Sequence, residues 1–374
     1  MYGESLLIIL SDFLDKRRTQ GIELTDELRT LAKSHQIEGI VGYQLKENYV
    51  GFQNSYYRTI SEYVNRKRLL ESVEDKLASS GIEYVIVKGP IVAEHYPIPA
   101  FRTMGDLDIV TCDREKAHRV LLNMGFKTDS RHYDKDWQYS NGAFEIELHD
   151  RLVYDEAINL LGSEAFFNDY TSYVNGHRLN PSFHFLYLLL HLRKHLMNRG
   201  VGIRQFMDIE VIMRNCVELD WNWINKEAET LGLKTFMGKV LEFNKFCFSY
   251  DRQSNTEPPY GLEDILKNGV FGFDNKDTES YLAANEIRNS KHPFLSSVVF
   301  ALRSIFPTFK NLRNSERYAY ISGKPYLLPV AWLHRIVTVL CTGKIKEGKA
   351  QVSNAFVSKD YIKARDTMFT HWGL

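Results

Sequence analysis

Apolar side chains recur every three or four positions through the first 78 residues of the chain. The stretch 63–77 shows this spacing clearly, with Leu70, Val73 and Leu77 following one another at intervals of three and four. Residues at this spacing lie on one face of an α-helix. We therefore predict an N-terminal helical region over residues 1–78.

From Gly81 the pattern changes to short strand-like runs. Residues 82–87 are rich in β-branched side chains, and residues 106–110 alternate polar with apolar positions. Between them, Pro90 suits the start of a short helix. After them, Asp113 and Gly125 have the positions of a helix cap and a helix stop.

Two further strands are predicted at 133–140 and 143–149, on either side of Asn141-Gly142. Asn-Gly between alternating runs is the strongest short signal for a β-hairpin. The element order over residues 79–155 is therefore β, α, β, α, β, β. We expect a small mixed sheet with its own helices in this region.

The spacing returns to that of helices in residues 156–374. Asn180 can cap a helix, and Pro181 suits its first position, so a helix is expected from there to about Asn198. The fold class predicted is α+β, with a small mixed β-sheet core flanked by N- and C-terminal helical regions.

Composition and charge narrow the class of protein. Of the 374 residues, 44% are hydrophobic and 25% are charged, which is ordinary for a soluble globular protein. The net charge is zero, so there is no strong nucleic-acid signal. Four scattered cysteines without Cys-x-x-Cys spacing indicate neither a zinc knuckle nor a disulfide framework. No secretory signal is predicted, since Asp12 ends the first apolar run, and we expect a cytoplasmic location.

Positive charge is concentrated near the C-terminus. Residues 291–374 hold 13 Lys/Arg and 4 Asp/Glu. The most hydrophobic later segment, 326–342, is interrupted by Pro329, His334 and Arg335 and is too short to span a bilayer comfortably. The apolar segment 325–340 lies within the basic region. Three interpretations stay open: a solvated helical surface, weak peripheral contact with anionic lipid, or part of an acceptor site.

The candidate chemistry lies in the predicted strands. Asp106 and Asp108 are two residues apart on one strand, so both carboxylates project from the same face, and Glu145, Glu147 and His149 share a face of another. If the two strands are neighbours with these faces turned the same way, three carboxylates meet. Such a cluster favours a divalent ion such as Mg²⁺ or Mn²⁺. The plainer alternative is a solvated strand face or an edge protected by charge.

Taken together, these residues resemble a family. The matching positions, spread over about residues 80–215, are Lys88-Gly89, Tyr96-Pro97-x-Pro99, Arg102, Asp106-x-Asp108, Gly125-Phe126, Glu147-x-His149, His191, Lys194-His195, Arg204 and Asp208. This set is similar to the uncharacterised bacterial nucleotidyltransferases of the polymerase-β-like superfamily. The resemblance implies that Asp106, Asp108 and Glu147 are catalytic metal ligands and that Gly89 forms a turn close to phosphates.

The remaining motif positions are predicted to contact the nucleotide or its phosphates. They are Lys88, Gly89, Arg102, His149, His191, Lys194, His195, Arg204 and Asp208. His184, Leu188, His191 and His195 form one stripe of a helix, but zinc is improbable because Leu192 stands where a His-Glu-x-x-His motif has Glu. Simple core or surface histidines, and a plain Arg204–Asp208 ion pair, are the alternatives.

Three functions are consistent with these residues. The first is transfer of a nucleoside monophosphate from an NTP to an unidentified hydroxyl acceptor, with release of pyrophosphate. The second is a nucleotide-binding regulatory module without catalysis, suggested by Pro90, which supplies no N–H to a phosphate at the turn. The third is metal-dependent sugar transfer from a nucleotide sugar.

Overall fold

Helices dominate the chain and surround one six-stranded sheet. The computed structural model describes residues 3–45, 50–128, 137–154, 162–198, 200–249, 257–270, 292–309, 312, 316–341 and 359–374. Its helices are α1 (Glu4–Leu14), α2 (Asp26–Ser34), α3 (Glu38–Gln44), α4 (Val50–Ser79), α5 (Gly89–Ala93), α6 (Arg114–Asn123), α7 (Ser163–Asn168), α8 (Pro181–Asn198), α9 (Ile203–Asn215), α10 (Trp221–Thr230), α11 (Lys234–Phe248), α12 (Leu262–Asn268), α13 (Pro293–Ile305), α14 (Leu328–Cys341) and α15 (Lys359–Trp372). Its strands are β1 (Val85–Val87), β2 (Asp106–Val110), β3 (Trp137–Ser140), β4 (Glu145–His149), β5 (Val174–Asn175) and β6 (Arg178–Leu179).

The sheet has mixed strand directions, in the order β3-β4-β2-β1-β6-β5. β2 runs parallel to β4 and antiparallel to β1, while β1 runs parallel to β6. β3 and β4 form an antiparallel hairpin at one edge. The predicted α+β fold, a small mixed sheet flanked by helices, is confirmed.

Side-chain capping explains several of the predicted boundaries. Asp113 accepts a hydrogen bond from the Lys116 N–H (3.1 Å) at the start of α6, and Asn180 accepts one from the Ser182 N–H (3.0 Å) at the start of α8. Asn141 accepts from the Phe144 N–H (2.9 Å) in the β3–β4 turn. The first part of the strand predicted at 133–140 lies outside the described residues.

The strands β5 and β6 were not predicted from the sequence. They lie in the region 156–374, which was expected to be helical, and each is two residues long. Two residues are too few to show an alternating pattern. Because β6 pairs with β1, the sheet also includes residues of the region 156–374.

The two faces of the sheet differ in what covers them. One face packs Leu107, Ile109, Ile146 and Leu148 into a buried cluster with residues of α4 and α6. Val87 and Val110 belong to a second, larger core whose other members run from α1 to Trp372 of α15. Because this larger core draws on residues of all three sequence regions, the division at 78 and 155 stays a prediction.

The segment 316–341 has a small core of its own around Tyr318, Ile321 and Ala331. On α14, Val330, Leu333 and Val337 are exposed. Within the described segments, every helix is too short or too polar to cross a membrane. Peripheral lipid contact by this region stays a prediction.

A close junction joins α2, α9 and α12. The buried His35 ring donates from Nε2 to the Leu266 carbonyl (2.9 Å) and accepts at Nδ1 from the Ile203 N–H (3.3 Å). Burial lowers the pKa of His35 to about 4, so the ring is neutral at pH 7 and able to accept. A Cβ on Gly202 would lie 2.5 Å from the Gly269 carbonyl oxygen and 2.6 Å from His35 Nδ1.

This junction predicts an asymmetric response to two alanine substitutions. Gly202→Ala should lower the free energy of unfolding by about 1–3 kcal/mol, because backbone atoms would have to move. Gly238→Ala in α11 is the control, since its Cβ would meet nothing within 4 Å. That variant should be neutral or stabilised by up to ~1 kcal/mol, because alanine favours a helix. Urea denaturation measures both, and equal effects would contradict the prediction.

Candidate active site

Parallel pairing of β2 with β4 brings the predicted carboxylates together. In the register of the two strands, Asp106 lies beside Glu145, Asp108 beside Glu147, and Val110 beside His149. Residues paired in register project from the same face of a sheet. The faces of the two strands therefore turn the same way, as the sequence argument required.

Three side chains at the centre of this face form a possible metal site. Asp108, Glu147 and His149 each offer one ligand atom, and these atoms lie within 4.8 Å of one another. The sequence predicted Asp106, Asp108 and Glu147 as ligands. In the structure His149 belongs to this group of three. Asp106 is not part of the group and lies two residues before Asp108 on β2. This buried Asp-Glu-His group could bind a metal.

Asp108 is the most strongly held of the carboxylates. Its Oδ1 lies 2.6 Å from Lys88 Nζ and accepts a hydrogen bond from His149 Nε2 at 2.9 Å. Burial alone would raise the pKa of Asp108, but the Lys88 charge and the His149 hydrogen bond outweigh it and hold the pKa well below its usual range. Asp108 is therefore ionised at neutral pH despite being 3% exposed.

The negative charges of Asp106 and Glu147 are less well compensated than that of Asp108. Burial, followed by repulsion from Asp108, raises the pKa of both Asp106 and Glu147. Glu147 accepts one hydrogen bond from Gln138 Nε2 (3.0 Å). A divalent cation among these oxygens would relieve the repulsion, and oxygen donors are what Mg²⁺ and Mn²⁺ prefer. The donor set, two carboxylates and an imidazole, can thus accept a divalent cation.

The turn between β1 and α5 places the Lys88 ammonium on this cluster. Lys88 has φ 57° and ψ −115°, a conformation that normally requires glycine. Its N–H donates to His184 Nε2 at 3.1 Å. Burial lowers the pKa of His184 to about 3, so this ring is a neutral acceptor. The sequence placed His184 in the histidine stripe but did not reveal that it holds the turn.

Arg102 packs against the same turn. A Cβ on Gly89 would lie 2.8 Å from Arg102 Nη1, so glycine leaves room for the guanidinium. Arg102 binds Asp208 through both Nε (3.2 Å) and Nη2 (2.9 Å), and the Tyr96 hydroxyl donates to Asp208 at 2.7 Å. This bidentate pair joins the β1–β2 connection to α9.

Arg204 takes partners other than Asp208. Its Nη1 donates to Gln36 Oε1 (2.8 Å) and Thr103 Oγ1 (2.6 Å). Its buried Nε has no hydrogen-bond partner among the described residues. Burial, with repulsion from Arg102, lowers the pKa of Arg204 to about 10, which leaves it charged at neutral pH. Asp208 binds Arg102 and Tyr96, so it and Arg204 have different hydrogen-bond partners.

The histidines of α8 approach from the opposite wall. The Nε2 atoms of His191 and His195 are 2.9 Å apart, so one ring donates to the other. Burial, and then the Lys88 charge, lowers the pKa of His191 well below its usual range, which keeps that ring neutral. Lys194 lies between them in sequence and lines the same space.

Most of the charged groups described above line one cavity of about 420 Å³. Its lining includes every residue that the sequence predicted for the site: Lys88, Gly89, Arg102, Asp106, Asp108, Glu147, His149, His191, Lys194, His195, Arg204 and Asp208. Tyr187 and Gln205 also line it and were not predicted. Both lie three or four residues from predicted positions on their helices, and that spacing was the signal available for them. The functional roles of these residues stay predictions.

The backbone conformation at Lys88 predicts that two substitutions of this residue differ in stability. Lys88→Ala and Lys88→Gly both remove the ammonium next to Asp108, but only glycine relieves the left-handed backbone. We expect the glycine variant to be the more stable by about 1 kcal/mol, although glycine normally costs stability elsewhere. Thermal denaturation of the two proteins measures this. A more stable alanine variant would show that the turn is unstrained.

Comparison with known proteins is consistent with this geometry. The family model described as "Uncharacterised nucleotidyltransferase" matches residues 23–249, which is more than half of the chain and includes every residue that the sequence predicted for the site. Searches of curated proteins and of solved structures return no match. The resemblance inferred from the sequence is confirmed. The chain belongs to the uncharacterised nucleotidyltransferase family.

Proposed function

We propose that this protein transfers a nucleoside monophosphate from an NTP to a hydroxyl acceptor, with release of pyrophosphate, in a reaction that depends on Mg²⁺ or Mn²⁺. One observation carries the proposal. Asp106, Asp108 and Glu147 project from neighbouring parallel strands into a cavity whose other walls bear basic side chains. Membership of the family supports the general transferase role.

Asp108 and Glu147 would hold the metal, with His149 completing its protein ligands, which leaves Asp106 for proton transfer. When bound, such an ion neutralises phosphate charge and lowers the pKa of an attacking hydroxyl. Asp108 would contribute a constant negative charge to these ligands, because its low pKa leaves it ionised at any physiological pH.

The charge of the cavity suits a metal–nucleotide complex. Four basic residues (Lys88, Arg102, Lys194 and Arg204) and four acidic residues (Asp106, Asp108, Glu147 and Asp208) line it, so its protein charge is zero. A dication raises the total to +2 and attracts a triphosphate. A bare triphosphate has no such attraction, so metal and nucleotide should bind cooperatively.

The basic residues have two kinds of task in this proposal. Lys194 and His195 are assigned to the phosphates as donors from α8, and Lys88, held 2.6 Å from Asp108, is assigned to them as a fixed charge. Arg102 already binds Asp208. Arg204 already donates to Gln36 and Thr103. Those hydrogen bonds fix the guanidinium groups in the cavity wall, where they contribute positive charge at defined positions.

In the proposed reaction, one bond forms and one bond breaks at the α-phosphorus. The acceptor oxygen attacks the α-phosphorus, a new O–P bond forms, the bond to the β-phosphate oxygen breaks, and pyrophosphate leaves. The hydroxyl proton passes to a carboxylate. Asp106 suits this task, because burial and Asp108 raise its pKa and it stands outside the close metal-binding group.

A nucleotide-binding module without catalysis is the second candidate. Pro90 favours it, because proline at the second position of α5 supplies no N–H to a phosphate at the turn. Calorimetry with NTPs and Mg²⁺, together with a pyrophosphate assay, separates the two functions. Binding without release in the presence of hydroxyl acceptors identifies the module.

Replacing one carboxylate by its amide tests the transferase. Glu147→Gln should lower NTP-dependent pyrophosphate release at least ~10²-fold, because metal binding supplies several kcal/mol of transition-state stabilisation. Without metal, the variant should be as stable as the wild type or more so, since it removes charge repulsion. Mg²⁺ or Mn²⁺ should raise the melting temperature of the wild type and not of the variant.

Glu115→Gln, on the exposed side of α6, makes the same charge change away from the cavity and is the control. It should keep both turnover and the thermal response to metal. Full turnover and an unchanged metal response in Glu147→Gln would refute its role as a ligand.

A further inference from the structure

A second cavity, of about 410 Å³, lies between α4 and the beginnings of β2 and β4. Tyr63, Arg66, Leu70 and Glu74 line it from one face of α4, at helical spacings of three and four. Asp106 lines both this cavity and the first one, and among the described residues it alone does so. The two spaces therefore meet at a proposed catalytic carboxylate.

The second cavity differs from the first in charge. Five acidic residues and three basic residues line it: Glu71, Glu74, Glu94, Asp106 and Glu145 against Arg66, Lys67 and Arg178. The resulting charge of −2 disfavours a triphosphate and favours a cation. With the donor nucleotide assigned to the first cavity, the second is left for a different molecule.

Part of this charge is already neutralised, and part is not. Arg178 pairs with Glu94 at 2.6 Å, and Arg66 donates to the Gly105 carbonyl at 2.8 Å. No described residue gives a hydrogen bond or an ion pair to the carboxylates of Glu71 or Glu74. Burial raises the pKa of Glu74, and the charges of Arg178 and His177 oppose this only in part.

The remaining wall is largely apolar. Leu70, Leu107, Pro90, Met104 and Phe144 line it, and the Arg66 guanidinium lies 5.3 Å from the centroid of the Phe144 ring. A wall of this kind accommodates a hydrocarbon or sugar-ring face, and a cavity of this size accommodates a small molecule. The cavity therefore combines an apolar surface with a net negative charge.

We infer that the second cavity binds the acceptor, and that the acceptor is a small hydroxyl compound carrying a protonated amino group, which Glu74 and Glu71 recognise. This inference rests on the proposed nucleotidyl transfer. An in-line displacement places acceptor and leaving pyrophosphate on opposite sides of the phosphorus, so it needs two spaces that meet at the reacting atoms. The acceptor O–H, entering from the second cavity, gives its proton to Asp106 as its oxygen bonds to the α-phosphorus.

Matched acceptors of different charge test the inference. Glucosamine, glucose and glucuronate share a ring and carry a positive, a neutral and a negative charge, and amino alcohols with their deaminated analogues extend the set. Pyrophosphate release by the full-length protein with Mg²⁺ and NTP is measured with each. We expect the cationic members to have the highest kcat/KM.

Glu74→Gln and Asp75→Asn form the matched pair of variants. They make the same change of charge on adjacent residues of α4, but only Glu74 lines the cavity. Glu74→Gln should lower kcat/KM for the cationic acceptors by about tenfold, as expected for a lost charge-assisted hydrogen bond, and leave the KM of the NTP unchanged. Asp75→Asn should alter neither.

Three results would overturn the inference. They are a preference for neutral or anionic acceptors, a rise in the KM of the NTP in Glu74→Gln, which would place the nucleoside in this cavity, or stimulation by no member of the set above the slow hydrolysis of NTP. Failure of the proposed function looks different. In that case the wild type neither binds NTP with Mg²⁺ nor releases pyrophosphate under any condition.

Discussion

The parallel pairing of β2 with β4 is the constraint on which the site depends. Because side chains alternate along a strand, a shift of one residue would turn Glu147 and His149 into the apolar cluster beneath the sheet. The buried residues Leu107, Ile109, Ile146 and Leu148 prevent that shift, since they fill the opposite face. Packing on one side of the sheet thus determines which charges meet on the other.

Several different partners compensate the electrostatic repulsion and the burial of these charges. Lys88 and His149 compensate Asp108, Gln138 bonds Glu147, and Arg102 with Tyr96 satisfies Asp208. These partners come from the sheet, the β1–α5 turn and the β1–β2 connection. The Arg102–Asp208 pair also joins the β1–β2 connection to α9, so a contact between segments distant in sequence holds part of the cavity wall.

Local features were predictable from the sequence, and distant contacts were not. The side chains of Asp113, Asn141 and Asn180 accept hydrogen bonds from backbone N–H groups two or three residues later in the chain. Their helix caps and turn could therefore be recognised directly from the sequence. Strand alternation likewise showed which acidic side chains share a face. The Arg102–Asp208 pair, 106 positions apart, and the His184–Lys88 contact have no local pattern that reveals them. The strands β5 and β6 escaped because each is two residues long.

The contact between Lys88 and Asp108 has a consequence for how the protein matures. Many small metal-binding domains unfold when their ion is removed, because binding of the ion supplies the free energy of folding. Here an ammonium group built into the chain already balances the most buried carboxylate. The polypeptide can therefore reach its final shape without an ion at this carboxylate.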